Sequence, residues 1–109
     1  MKKVSFGDVE ETIVHEVARR RKLLTGKPED RIQSFNDAYL DPGKSFTPHR
    51  HDDGEELYYF LEGEGKMIIN ENIFSVKTGD CVLVEKSEAH SLKNDSPSSL
   101  RWIAVRILL

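Results

Sequence analysis

Turn-forming residues punctuate this chain at short, even intervals, and that spacing constrains the fold more than any other feature. Thr25-Gly26-Lys27-Pro28, Asp41-Pro42-Gly43, Asp52-Asp53-Gly54, Glu62-Gly63-Glu64-Gly65, Thr78-Gly79-Asp80 and Asn94-Asp95-Ser96-Pro97 follow one another along the sequence. Glycine reaches positive φ without strain, proline presets φ, and Asn or Asp bonds its own backbone, so each cluster favours reversal of the chain. The segments between them are short and rich in β-branched, aromatic and aliphatic residues. Such a pattern predicts an all-β sandwich or barrel. Expected strands run over Val14–Leu24, Ile32–Leu40, Phe46–His51, Glu56–Leu61, Lys66–Asn70, Ile73–Val76, Cys81–Glu85, His90–Lys93 and Leu100–Leu108. Ile69-Asn70-Glu71-Asn72-Ile73 predicts a tight hairpin, because Asn tolerates the positive φ such turns demand. Asp8–Arg20 is the one segment with a helical alternative, since Val9, Ile13 and Val17 recur every four residues. Thr12, Ile13, Val14 and Val17 also suit a strand, which the β-rich remainder favours.

The 109 residues suit a single domain, with residues 1–31 as an N-terminal strand segment. Nineteen acidic against sixteen basic side chains give a net charge of −3, which argues against a nucleic-acid or anionic-membrane partner. The basic run Arg19-Arg20-Arg21-Lys22 does not reverse this, because on a strand its charges alternate between faces and form no stripe. The single cysteine, Cys81, excludes an intrachain disulfide and a multi-cysteine zinc site, and its apolar strand predicts a buried, inert thiol. Met1-Lys2-Lys3 is followed by Gly7, Asp8, Glu10 and Glu11 rather than an apolar stretch, and no run of about 18 apolar residues exists. A cytoplasmic protein is the expectation. Asn94-Asp95-Ser96 then reads as a turn and not as a glycosylation site.

The four histidines are the chemically informative residues. His49-Arg50-His51 lies in an expected strand, where alternate residues share a face, so both imidazoles project together and can bite one ion. The Asp52–Glu55 loop reverses the chain and delivers Glu56, and His90 opens a later strand. Three neutral nitrogens and a carboxylate oxygen suit a borderline divalent ion: Mn, Fe, Co, Ni, Cu or Zn. A six-coordinate ion would keep two positions open for water, dioxygen or a chelating substrate, as a catalytic site requires. Each residue alone is weak: His-x-His arises often by chance, a lone His is usually structural, and Glu56 has acidic neighbours.

The ordered set is stronger. Gly43-x5-His49-x-His51-x4-Glu56-x6-Gly63 fits the first cupin motif, and Gly79-x10-His90-x3-Asn94 fits the frame of the second. The chain therefore resembles the small single-domain cupins, with the motifs spanning residues 43–63 and 79–94. Glu85 and Ser87 stand where the second motif normally carries a proline and a glycine, so the turn before His90 departs from the pattern. The resemblance selects Glu56 over Glu55 as carboxylate ligand. It implies a double-stranded β-helix, or jelly roll, with a metal held inside by His49, His51, Glu56 and His90. Counting outward by twos from these ligands puts Ser45, Thr47, Tyr58, Phe60 and Leu92 on the pocket wall. His15, far from the motifs, reads as structural or surface.

Two functions follow as expectations. A metal-dependent enzyme would act on a small oxygenated molecule, by dioxygenation or by isomerisation or decarboxylation with the metal as Lewis acid. The alternative is a non-catalytic cupin that binds a small molecule, for example a sugar. A purely structural metal is a third possibility. Leu100–Leu108 is apolar on both faces, so one face needs a partner outside the barrel, and a homodimer is expected as in similar small cupins.

Overall fold

A computed structural model describes residues 1–109. Nine strands follow in order: β1 (Thr12–Val14), β2 (Ala18–Thr25), β3 (Ile32–Leu40), β4 (Gly54–Glu62), β5 (Glu64–Ile69), β6 (Asn72–Lys77), β7 (Cys81–Val84), β8 (His90–Lys93) and β9 (Leu100–Leu108). The only helix is one 3₁₀ turn at Phe6–Asp8. Six strands form one antiparallel sheet in the order β1-β2-β3-β9-β4-β7, and three form a second, β6-β5-β8. The fold is a double-stranded β-helix, the jelly roll expected. No helix is long and apolar enough to cross a membrane.

Alternation along the strands decides what faces inward. Glu56, Tyr58 and Phe60 on β4 are buried, as are Leu100, Trp102 and Ala104 on β9 and Ser34, Asn36, Ala38 and Leu40 on β3. Their apolar members pack with Met67, Val84 and Leu92 into one core between the sheets. That core fills one end of the barrel, while polar residues line the other. Asn94 closes the core end: its amide donates to Leu40 O and Ser98 O, both at 2.8 Å. It is fully buried, so Asn94-Asp95-Ser96 is a structural turn.

The expected hairpin is present, with Ile69 opposite Asn72 and Asn70 at φ 55°. Two expected strands differ. Val14–Leu24 is broken by a tight turn in which His15 (φ 50°) and Glu16 (φ 68°) both adopt the left-handed conformation and Val17 N–H donates to Val14 O at 3.3 Å. Neither residue is Gly, Asn or Asp, so no turn signal marked the position. Phe46–His51 is not a strand but an extended segment held to β8 by two isolated bridges, Ser45 to Lys93 and His49 to His90. The two bridges are out of register by one residue, so the backbone between them is irregular and no continuous ladder forms.

Cys81 corrects another expectation: its thiol is exposed. β7 is the edge strand of the larger sheet, Val84 on it points into the core, and odd-numbered Cys81 and Leu83 therefore face outward.

Candidate metal centre

Three separate pieces of backbone carry the four candidate ligands. β4 brings Glu56, β8 opens with His90, and the extended segment between β3 and β4 carries His49 and His51. His49 and His90 are joined through their backbones, N–H to O at 3.0 Å in one direction and 2.8 Å in the other. Their rings consequently lie with centroids 4.2 Å apart. One ligand atom from each of His49, His51, Glu56 and His90 lies within 4.8 Å of the others.

Glu56 Oε1 is the meeting point. It sits 3.0 Å from His90 Nε2 and 3.8 Å from His51 Nε2, and it accepts a 2.7 Å hydrogen bond from the Tyr58 hydroxyl. Burial by itself would raise the Glu56 carboxyl, but His51, His90 and the Tyr58 hydroxyl outweigh it and hold the group well below the usual carboxylate range. Burial first, then His90 and His15, lower His49 to about 4, so it is neutral at neutral pH, as a ligand must be. Burial and the Glu56 charge raise the Tyr58 hydroxyl well above its ordinary value, keeping it a donor.

The residues fit a cation. His90 Nδ1 lies 3.0 Å from Glu88 O, which accepts but cannot donate, so Nδ1 carries the proton. Nε2 then faces Glu56 Oε1 at 3.0 Å, a contact that requires a positive charge, supplied either by a second proton on the ring or by a metal ion held between the two atoms. His49 Nδ1 is buried with no partner in the chain, and the donor set of imidazoles and carboxylate is one that transition ions favour.

Beside this cluster opens a cavity of about 420 Å³ with no hydrophobic residue on its wall. Its lining includes His15, Arg20, Asn36, His49, Glu56 and Arg106. Four buried side-chain polar atoms in the whole chain lack a hydrogen-bond partner: Arg20 Nε, Asn36 Oδ1, His49 Nδ1 and Arg106 Nε. All four belong to this wall. A smaller cavity of about 50 Å³ lies deeper, against Val14, Ala38, Phe46, Tyr58 and Trp102.

The expected wall residues are distributed differently. Tyr58 lines the deeper cavity, whereas Phe60 and Leu92 are fully buried core residues that line neither. Ser45 and Thr47 are exposed and away from both. The irregular backbone around Pro48 shifts the alternation, so that Phe46, three residues before His49, packs with it at a ring distance of 5.9 Å. His15 proves to be close to the cluster: its ring stacks on His49 at 4.3 Å and on Phe46 at 4.9 Å. The β1–β2 turn delivers it there, and nothing in the spacing of His15 signals that. Arg20, Asn36 and Arg106 were not singled out from the sequence, because the face that each takes depends on strand register, which local patterns do not carry. Asp52 and Asp53 are taken up outside the cluster, Asp52 by Ser87 Oγ (2.9 Å) and Asp53 by Arg106.

The departure at Ser87 has a local account. Ser87 adopts φ 66°, the conformation for which glycine is suited, and is held there by its N–H to His51 O at 2.8 Å and its hydroxyl to Asp52. The unusual residue still ties the His90 turn to the segment carrying His51.

Comparison with known proteins agrees with this geometry. The family model described as Cupin domain matches residues 37–106, a span that contains all four candidate ligands. The chain belongs to the cupin family. Among curated relatives, this cupin is 39% identical to an oxalate-binding protein of Thermotoga maritima over 94 residues, 86% of this chain and 78% of the relative. Among solved structures it is similar to a predicted oxalate decarboxylase from Thermotoga maritima, with TM-score 0.90, 27% identity and coverage of 99% of this chain and 100% of the other. It is also similar to the polyketide cyclase RemF from Streptomyces resistomycificus, with TM-score 0.82, 25% identity and coverage of 98% and 79%.

Proposed function

We propose that this cupin holds a divalent transition ion through His49, His51, Glu56 and His90 and uses it to bind a small oxygenated anion, with oxalate the first candidate. One observation carries this reading: every unpaired buried polar side-chain atom of the chain lies on the wall of one cavity that reaches the four-residue cluster. Leaving such groups unpaired is costly, so they are satisfied from within the cavity, by water or by a polar ligand that displaces it. Arg20, Lys22 and Arg106 on the same wall give it positive character, and Glu56 is its only carboxylate. The names of the two Thermotoga maritima relatives support an anionic carboxylate as the ligand class.

The ion would supply Lewis-acid polarisation of a ligand carbonyl or carboxylate. The chain's own residues do the rest. Tyr58 fixes the Glu56 carboxylate, the Glu88 carbonyl fixes the His90 ring, and His15 and Phe46 cover the outer face of His49. A wholly polar wall suits decarboxylation or isomerisation of an anion better than dioxygenation of an apolar substrate.

A second reading, binding without turnover, has its own support. No carboxylate other than Glu56 lines either cavity, so no uncommitted acid stands ready to move a proton. Calorimetric titration of oxalate into manganese-loaded protein, followed by assay for formate and CO₂, separates the two. One oxalate bound per chain supports the site, and product formation supports the enzyme. Saturable binding with no product supports the binding protein, and no binding rejects oxalate.

Two further features belong to the same reading. The outer face of the larger sheet carries the half-exposed Tyr59 and Leu83 beside Leu57, Ile103 and Val105, an apolar surface that supports a homodimer. The exposed, unpaired Cys81 supports a reducing, cytoplasmic setting.

A further inference from the structure

Arg20 is a cation that the chain leaves without a counter-charge. β2 alternates, and its outward arginines are fully engaged. Arg19 pairs with Glu11 and Asp41, each at 3.0 Å. Arg21 Nε donates to Val9 O at 3.0 Å, and its guanidinium covers the Phe6 ring at 4.0 Å. Arg20 points inward, opposite Ala38 on β3 and next to the cavity shared with the metal cluster. It lies within no ion pair of the chain, and its Nε is buried without any partner. Arg106, the other arginine of the wall, is already paired with Asp53. Arg20 also lines the deeper cavity, together with the small residues Ala18 and Ala38.

Charge balance points to the missing partner. The carboxylate of Glu56 offsets Arg20 in formal charge but is committed to Tyr58 and the histidines. A divalent ion in the cluster therefore leaves at least a double positive charge around the cavity, to which the exposed Lys22 at its edge, in no ion pair, adds a third, and a monoanion neutralises no more than half of it. The cavity volume, about 420 Å³, also falls in the range of ordinary small-molecule sites and exceeds what a single carboxylate group fills.

We propose that Arg20 anchors a second carboxylate of the ligand, away from the metal ligands, so that the site selects a small dicarboxylate over the corresponding monoanion. The proposal rests on the metal site put forward above and adds a residue and a charge rule to it. Guanidinium and carboxylate pair through two parallel N–H···O bonds, a geometry that lysine or glutamine does not reproduce.

The test compares malonate and succinate, each beside its monomethyl ester, on metal-loaded parent protein and the Arg20→Gln and Arg20→Lys variants. Binding is read by calorimetry, with metal content and ligand-free melting temperature measured on the same samples. Parent protein should bind at least one diacid about tenfold or more tighter than its monoester. In Arg20→Gln that preference should collapse toward unity through loss of diacid affinity, and Arg20→Lys should restore part of it. Metal content and ligand-free melting should stay at the parent's values, because Arg20 makes no side-chain bond in the protein. Retention of the preference in Arg20→Gln, or its absence in metal-loaded parent protein, overturns the proposal and leaves the metal site standing. A parent protein that takes up no metal overturns both.

Discussion

His49 and His90 donate to each other's backbone carbonyls, at 3.0 and 2.8 Å, across 41 positions of sequence from residue 49 to residue 90. This isolated bridge sets two imidazoles of different motifs side by side through backbone bonds alone. Preorganisation of this kind lowers the cost of assembling a site, because ordering entropy is already spent in folding. The bridge involves backbone atoms only, so side-chain substitutions at either histidine leave it in place.

Tyr58 tests how far the cluster depends on its hydrogen-bond support. Tyr58→Phe keeps the ring that packs near Phe60 and Trp102, at 6.2 and 6.4 Å, and removes only the donor to Glu56. Metal affinity should fall by about 10-fold or more, as when the supporting shell of a ligand is lost. Competition against a chromogenic chelator measures this, and the variant should retain the parent's metal stoichiometry at saturation.

Acidity should destabilise the metal-free protein in two overlapping ranges. His49 in the fold stays neutral down to about 4, whereas in the unfolded chain it takes its proton near the ordinary 6.5. The unfolded state therefore binds more protons between those values, and stability falls as pH drops from about 6.5 to about 4. Glu56 is held below its ordinary 4.5, so the stability it contributes is present above that value and is lost as pH falls further. Urea unfolding of chelator-treated protein at pH 7, 5.5 and 4 should give a steadily declining midpoint. A midpoint that rises on acidification contradicts the assignment.

Positive φ makes opposite predictions at two turns. Gly63 sits at φ 81°, and a Cβ there would collide with the Ser99 carbonyl, so Gly63→Ala should cost more than about 2 kcal/mol. Glu16, exposed at φ 68° with no side-chain bond, is the reverse case. Glu16→Gly should be neutral or stabilising by up to about 1 kcal/mol, since strain relief offsets added unfolded-state entropy. Thermal melts of the two variants should shift in opposite directions or differ plainly in size.

The proposed dimer face can be broken at one position. Leu83 is 48% exposed on the edge strand β7, outside the barrel and away from the cluster. Leu83→Glu should convert a dimer to a monomer by light scattering while leaving metal content unchanged.

The all-β class was legible because turn chemistry is local, each Gly, Pro and Asx cluster acting on its own few residues, whereas the jelly roll followed from the resemblance to the cupin motifs. The four candidate ligands were legible for a related reason, since fixed spacings to Gly43, Gly63 and Gly79 encode turn lengths. What escaped the sequence was non-local or parity-dependent. A one-residue register change between Ser45 and His49 shifts the alternation, so Phe46 and not Ser45 or Thr47 packs against His49. The turn at His15-Glu16 lacks any turn residue, and it alone brings His15 onto His49. Arg20 was seen as one of four consecutive basic residues, but its isolation from every carboxylate depends on the strand register. Cys81 required knowing that β7 is an edge.

Metal stoichiometry, read by elemental analysis of protein purified without added metal or chelator, is the most direct test of the central assignment. The parent chain should carry close to one transition-metal ion per protomer, and a double His49→Ala, His51→Ala variant, folded by circular dichroism, should carry almost none. Equal metal content in parent and variant would contradict the site.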